Sequence, residues 1–174
     1  MIDLNIQPIK TDRLILRTPQ ESDFDAAAAF NTSDRTTYVG GKITQEWDQW
    51  RGFMGSIGHW VLRGYGFFTV TLHDGTRVGR VGVINHRMWP EPELGWHLYD
   101  GFEGCGYATE AARAARTWAH TEHGLGPLIS QIHPDNHASA AVAKRLGATL
   151  EAESTLLGDP CHIYRHPAPA QVTT

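Results

Sequence analysis

The chain has 174 residues, 41% hydrophobic and 20% charged, with a formal net charge of −4. Its length holds one hydrophobic core rather than two, its composition excludes a disordered chain, and its acidic balance excludes a general nucleic-acid face. No apolar run approaches the ~20 residues needed to span a bilayer, and two cysteines, Cys105 and Cys161, exclude a disulfide scaffold.

The N-terminus MIDLNIQPIK has neither the basic start nor the apolar stretch of a secretion signal. The expectation is one cytoplasmic domain over residues 1–167, with a frayed tail over 168–174. Residues 11–17 (TDRLILR) alternate as a strand. A short helix follows, with Glu21 or Ser22 near its start and residues 26–30 as its body. Thr44 is predicted to cap a second helix, in which Trp47, Trp50, Met54, Ile57 and Val61 recur at intervals of three or four. Trp47, Trp50, Met54, Ile57 and Trp60 read as core rather than as an acceptor pocket, and Gly64 ends the helix.

Residues 67–72 and 77–85 are β-rich runs joined by the turn 73–76, and residues 93–99 (ELGWHLY) form a further strand. A glycine-rich turn at 101–106 feeds an alanine-rich helix over 107–123. A short strand spans 128–133, Asn136 opens a helix ending at Leu146, and residues 149–157 and 161–165 close the chain as two strands. The order β-α-α-β-β-β-α-β-α-β-β predicts a mixed α/β sheet rather than a purely parallel one.

Gly101, Gly104 and Gly106 lie between a strand and a helix. Glycines allow positive φ and bring several N–H groups close to a ligand, and the helix start adds unpaired donors, so the turn suits a diphosphate. A bare strand-to-helix turn is the plainer alternative. A dinucleotide fingerprint fits poorly, because Thr109 stands where the third glycine belongs and antiparallel strands precede the turn. Further on, Asn136 occupies an N-cap position, and Ser139 shares a helical stripe with Val142, Ala143 and Leu146. A capping Asn beside a locally bonded Ser reads this segment equally well.

Together, TDRLILR, ELGWHLYDGFEGCGYATEAARA and NHASAAVAKRLGA followed by IYRHP resemble the GNAT superfamily of acyl-CoA-dependent N-acyltransferases. The likeness is closest to its ribosomal-protein N-terminal (alanine) acetyltransferase branch and covers residues 10–167. The resemblance implies a mostly antiparallel sheet with a V-shaped splay between two strands and helices on both faces. It implies that the turn from Glu103 through Gly104, Cys105, Gly106, Tyr107 and Ala108 to Thr109 binds the diphosphate of acetyl-CoA. It implies that Trp96, His97, Leu98 and Tyr99 bear the pantetheine arm, that Asn136 contacts that arm, and that Ser139 lies near the thioester sulfur. The family commonly has Arg or Gln at the position of Glu103, where an acid repels a diphosphate unless it points away. Cys105 is read as a small filler residue.

Attack of an amine on a thioester needs a neutral amine and a leaving thiol. At pH 7, neutralising a Lys amine costs about 4.6 kcal/mol, against roughly 1 kcal/mol for an α-amine. Glu93 is the first choice for general base, because Gly95 and His97 share its strand face and Gly95 leaves room for substrate. His97 and His133 are alternatives, each more commonly structural. Ser139 is the candidate acid, and a strand N–H near Trp96 the oxyanion donor. His120 and His123 lack a third ligand, so no metal is expected. The implied reaction moves acetyl from acetyl-CoA to a primary amine, either a protein N-terminus or a small molecule. It involves no nucleic acid and no membrane, and the protein acts as a monomer or homodimer. A CoA-binding module without catalysis is the competing reading.

Overall fold

The computed structural model describes residues 6–168, so the expected tail lies, apart from Ala168, outside the described residues. Eight strands form one sheet: β1 (Ile9–Lys10), β2 (Leu14–Arg17), β3 (Phe67–Leu72), β4 (Arg77–Ile84), β5 (Glu93–Leu98), β6 (Ile129–Ile132), β7 (Thr149–Leu156) and β8 (Asp159–Arg165). They lie in the order β1-β2-β3-β4-β5-β6-β8-β7. Neighbours pair antiparallel except β5 and β6, which are parallel. Four α-helices complete the domain: α1 (Phe24–Thr32), α2 (Glu46–Arg63), α3 (Tyr107–His123) and α4 (His137–Arg145). No described helix is long and apolar enough to cross a membrane.

One face of the sheet presents Leu14, Leu16, Phe68, Val70, Val81, Val83 and Leu94, all buried. Helix α3 covers this face with Ala111, Ala112, Ala115 and Ala119, whose small side chains at helical spacing let the helix lie close to the strands. Helix α4 covers the neighbouring strands by packing Ala143 with Ile132 and Tyr164. On the opposite face, Phe30 of α1 stacks on His97 with ring centroids 5.1 Å apart. Just before α1, the buried Asp23 carboxylate accepts two bonds from Arg17, one from Arg77 and one from the Thr69 hydroxyl. These donors hold its pKa far below the usual carboxylate range against the opposing effect of burial.

The start of α2 differs from expectation. Gln45, not Thr44, is the cap residue, and it makes no side-chain capping bond. The helix buries Gln49, Phe53 and Trp60, while Trp47 is 68% exposed and Met54 and Val61 are exposed. The apolar stripe is wider than the face that finds a partner, because α1 meets it chiefly through Phe24, Trp50 and Phe53. Gly64 ends α2 in the left-handed conformation, as its sequence position suggests.

Candidate active site

Strands β5 and β6 pair at a single register position, Glu93 with Ile129. The Ile129 N–H reaches the Pro92 carbonyl at 3.3 Å. Continuing that parallel ladder would join the Gln131 N–H to the Leu94 carbonyl. Both groups have other partners. The Gln131 N–H donates to Glu93 Oε1 at 3.0 Å, and the Leu94 carbonyl accepts from the Ser130 hydroxyl at 2.6 Å. Two side chains thus replace one backbone bond, and from this point the strands diverge. The expected splay lies between β5 and β6.

Ser130 is itself fixed by a buried pair. His166 Nε2 donates to Ser130 Oγ at 2.8 Å, and Arg116 donates to His166 Nδ1 at 3.3 Å. This pattern needs a neutral imidazole. Burial, aided by Arg116 and Arg165, lowers the His166 pKa to about 4.

A groove of about 970 Å³ opens beside the splay. Its walls include Trp96, His97 and Leu98 of β5, the turn residues Glu103, Gly104 and Gly106, Ala108 and Thr109 of α3, and Asn136 and Ser139 at the start of α4. Ten of the residues expected at a cofactor or catalytic position therefore share one surface. Gly104 and Gly106 have φ of +73° and +81°, which supports the expectation that the turn needs glycine. The first-turn N–H groups of Tyr107, Ala108 and Thr109 have no acceptor within α3. The Thr109 hydroxyl is buried without a hydrogen-bond partner. Free amides, an unpartnered hydroxyl and a concave wall fit a bound anion with an extended arm.

The backbone of β5 adds a second element of fit. Residues two apart in a strand present their N–H and C=O to the same edge. The Leu94 carbonyl reaches Ser130 on β6, so Trp96 between Leu94 and Leu98 also faces that edge. Its side chain donates from Nε1 to Ser139 Oγ at 3.3 Å. Ser139 accepts there and keeps its own hydroxyl hydrogen free to donate. The Asn136 side chain accepts from the Ser139 N–H at 3.1 Å, so it caps α4 while lining the groove.

Other expected residues stand outside the wall, and His97, though part of it, is enclosed by two rings. Glu93 lies outside the groove wall, on the opposite side of β5 from Trp96 by strand alternation. It is 8% exposed and takes hydrogen bonds from the Gln131 N–H, the Gln131 side chain at 3.2 Å and the Trp89 indole. Burial nevertheless raises its pKa above the ordinary carboxylate value. His97 is sandwiched between Phe30 and Phe67, at 5.1 and 5.2 Å, and burial beside Arg80 lowers its pKa to about 3. Such an imidazole is neutral at pH 7 and a weak base.

The space beside Gly95 does not admit substrate as expected: a Cβ there would meet the Phe67 ring at 2.8 Å. Tyr99 is buried, with its ring 6.1 Å from that of Phe30, and is not part of the groove wall. Cys105 is exposed rather than a packed filler, because its turn bulges into solvent. Tyr107 lies under the Arg13 guanidinium at 4.8 Å. His133 stacks with Tyr38 at 5.0 Å. Among the described residues, no cluster of three or more potential metal ligands occurs.

Two groove residues carry no signal in the sequence. Arg35 follows α1 and donates through Nε to the Leu98 carbonyl at 2.9 Å and through Nη1 to the Glu103 carboxylate. Tyr38, three residues later, lines the same wall. Both arrive from a segment without helical or strand periodicity. The acid at position 103 is therefore paired with a cation, not left facing a ligand alone.

A GNAT acetyltransferase domain model matches residues 13–149. The chain belongs to the GNAT acetyltransferase family. An acetyltransferase from Agrobacterium tumefaciens shares 37% identity, superimposes with a TM-score of 0.87, and covers 97% of this chain and 98% of its own. The protein YkkB of Bacillus subtilis is 30% identical over 165 residues, which cover 88% of this chain and 92% of the relative. RimL, the ribosomal L7/L12 α-N-protein acetyltransferase, in complex with coenzyme A, has a TM-score of 0.75 at 20% identity, covering 92% of this chain and 96% of its own. This last likeness is one of fold. The GNAT assignment agrees with the mixed sheet and its splay.

Proposed function

We propose that this GNAT protein transfers acetyl from acetyl-CoA to a primary amine by direct attack on the thioester. The observation that carries this reading is the groove, which joins the free amides of α3, the edge of β5 and the Ser139 hydroxyl on one surface. The diphosphate sits against the turn from Glu103 to Thr109, with backbone N–H groups and the buried Thr109 hydroxyl as donors. The pantetheine arm runs along Trp96 and Leu98. The Trp96 N–H, on the edge facing the splay, stabilises the developing oxyanion.

The amine nitrogen bonds to the thioester carbon, and the carbon–sulfur bond breaks. The Ser139 hydroxyl donates a hydrogen bond to the sulfur, which leaves as a thiolate and takes its proton from solvent, and Glu93 receives the proton from the amine through water. A carboxylate offers about four lone-pair sites, of which three are taken, so one remains for that water. A raised pKa makes Glu93 a stronger base than an exposed carboxylate. An α-amine needs little more, since its neutral form lies only about 1 kcal/mol away at pH 7.

The acceptor is either a protein N-terminus, as for the ribosomal-protein alanine acetyltransferase with which the chain superimposes at a TM-score of 0.73, or a small amine. Two free thiols, one exposed at Cys105, suit a reducing compartment, and we assign the reaction to the cytoplasm. Thiol release from acetyl-CoA, followed across short peptides with free N-termini and a set of primary amines, tests the reading. Acetylated product with stoichiometric thiol supports it. Tight CoA binding with no transfer to any acceptor supports the non-catalytic module instead.

A further inference from the structure

Acid and base residues in the groove wall are matched in number. Arg13, Arg35, Arg113 and Arg145 stand against Asp12, Asp34, Glu103 and Glu110. Near the glycine turn, Glu110 is held by Arg13 through Nε at 2.7 Å and Nη2 at 2.6 Å, and Glu103 is held by Arg35. Arg13 Nη1 also donates to the Cys105 carbonyl at 2.9 Å. The guanidinium of Arg13 is thus committed on all three nitrogens, whereas that of Arg35 is not.

Arginine has five N–H donors in a fixed plane. Nε of Arg35 is fixed on the Leu98 carbonyl and one Nη1 donor on Glu103, which leaves three donors in the same plane. Two anchored edges fix the orientation of that plane. Both anchors belong to the ends of the turn, since Leu98 closes β5 and Glu103 precedes Gly104. Arg35, Glu103, Gly104 and Gly106 line one wall of the groove.

Resting on the proposed acetyl-CoA reading, we propose that Arg35 is a ligand of the donor's diphosphate and that Glu103 is the positioning residue that holds it there. The cation comes from the segment after α1, and the acid at 103 is the hook that receives it. Glu103 alone would repel the diphosphate. Paired, it orients a guanidinium whose free donors suit phosphate oxygens.

Calorimetric titration of the intact protein with CoA, 3′-dephospho-CoA and pantetheine tests this without using activity. Arg35→Gln is expected to weaken CoA and 3′-dephospho-CoA by about tenfold or more, the scale of one charge-assisted hydrogen bond, and to leave pantetheine unchanged. Adding Glu103→Gln to Arg35→Gln is expected to recover part of the loss, because the unpaired acid is gone. Far-UV circular dichroism and the unfolding midpoint check that each variant folds. Unchanged CoA affinity in Arg35→Gln overturns the proposal. So does an equal loss for pantetheine, or a double variant no tighter than Arg35→Gln. If the unaltered protein binds none of the three, the donor reading itself fails, and this inference with it.

Discussion

The Gln131 backbone N–H donates to the Glu93 carboxylate at 3.0 Å, in place of the Leu94 carbonyl that a continued parallel ladder would offer. A residue proposed as the base thus also helps open the slot in which it works. Glu93→Gln brings an amide NH₂ to a place already facing the Trp89 indole and the Gln131 side-chain donor. Its kcat is expected to fall by about 100-fold or more. In the unaltered enzyme the acid limb of the pH–rate profile lies above the ordinary carboxylate range, because burial raises the pKa and the base acts only once ionised. That limb should vanish in Glu93→Gln, which initial rates from pH 4.5 to 8 will reveal.

Ser130 holds the other half of the wedge. Ser130→Ala leaves the Leu94 carbonyl without its donor and His166 Nε2 without an acceptor. The expected loss of stability is about 1–3 kcal/mol, measured by urea unfolding. Ser139→Ala, by contrast, removes a hydroxyl bonded to Trp96 at the half-buried groove wall. Its expected effect is a fall in kcat of about 100-fold with little change in stability or CoA affinity.

His166 couples folding to pH. Its folded pKa of about 4 lies below the value of about 6.5 for an unperturbed imidazole. Between those values the unfolded chain binds the additional proton, so stability falls as pH drops from about 6.5 toward 4. His97, lowered to about 3, acts in the same direction and extends the loss to lower pH. Urea midpoints at pH 7, 6 and 5 should decline, and His166→Gln should decline less steeply. Equal slopes would assign the pH dependence to other groups.

Two glycines on neighbouring strands should respond differently to a methyl group. A Cβ at Gly82 would stand 2.0 Å from the Gly66 carbonyl oxygen, which is backbone and cannot turn aside. At Gly95 it would meet the tip of the Phe67 ring, a movable side chain. Gly82→Ala is expected to cost about 3 kcal/mol or more and Gly95→Ala about 1 kcal/mol. Thermal unfolding of the two variants measures the difference.

The succession of helices and strands from β2 onward, the turn at Gly104 and Gly106 and the helix opened by Asn136 were legible because each signal is local, whereas the two-residue β1 gave none. The signals are a strand-to-helix glycine cluster, a cap residue and an apolar spacing. The pairing of Glu103 was not, because Arg35 lies 68 residues away in a segment without periodicity. The space beside Gly95 was misread for a similar reason: the ring that fills it comes from β3, and nothing in ELGWHLY points to Phe67. Thr44 lost the cap to Gln45, one residue on, since α2 begins without any side-chain capping bond to fix its start.

A crystal structure of the protein with CoA tests the central claim most directly. The account predicts the diphosphate against Gly104, Gly106 and the Thr109 hydroxyl, the pantetheine arm along Trp96 and Leu98, and the sulfur within reach of Ser139. A diphosphate bound away from the glycine turn, or a pantetheine arm outside the divergence of β5 and β6, would contradict it.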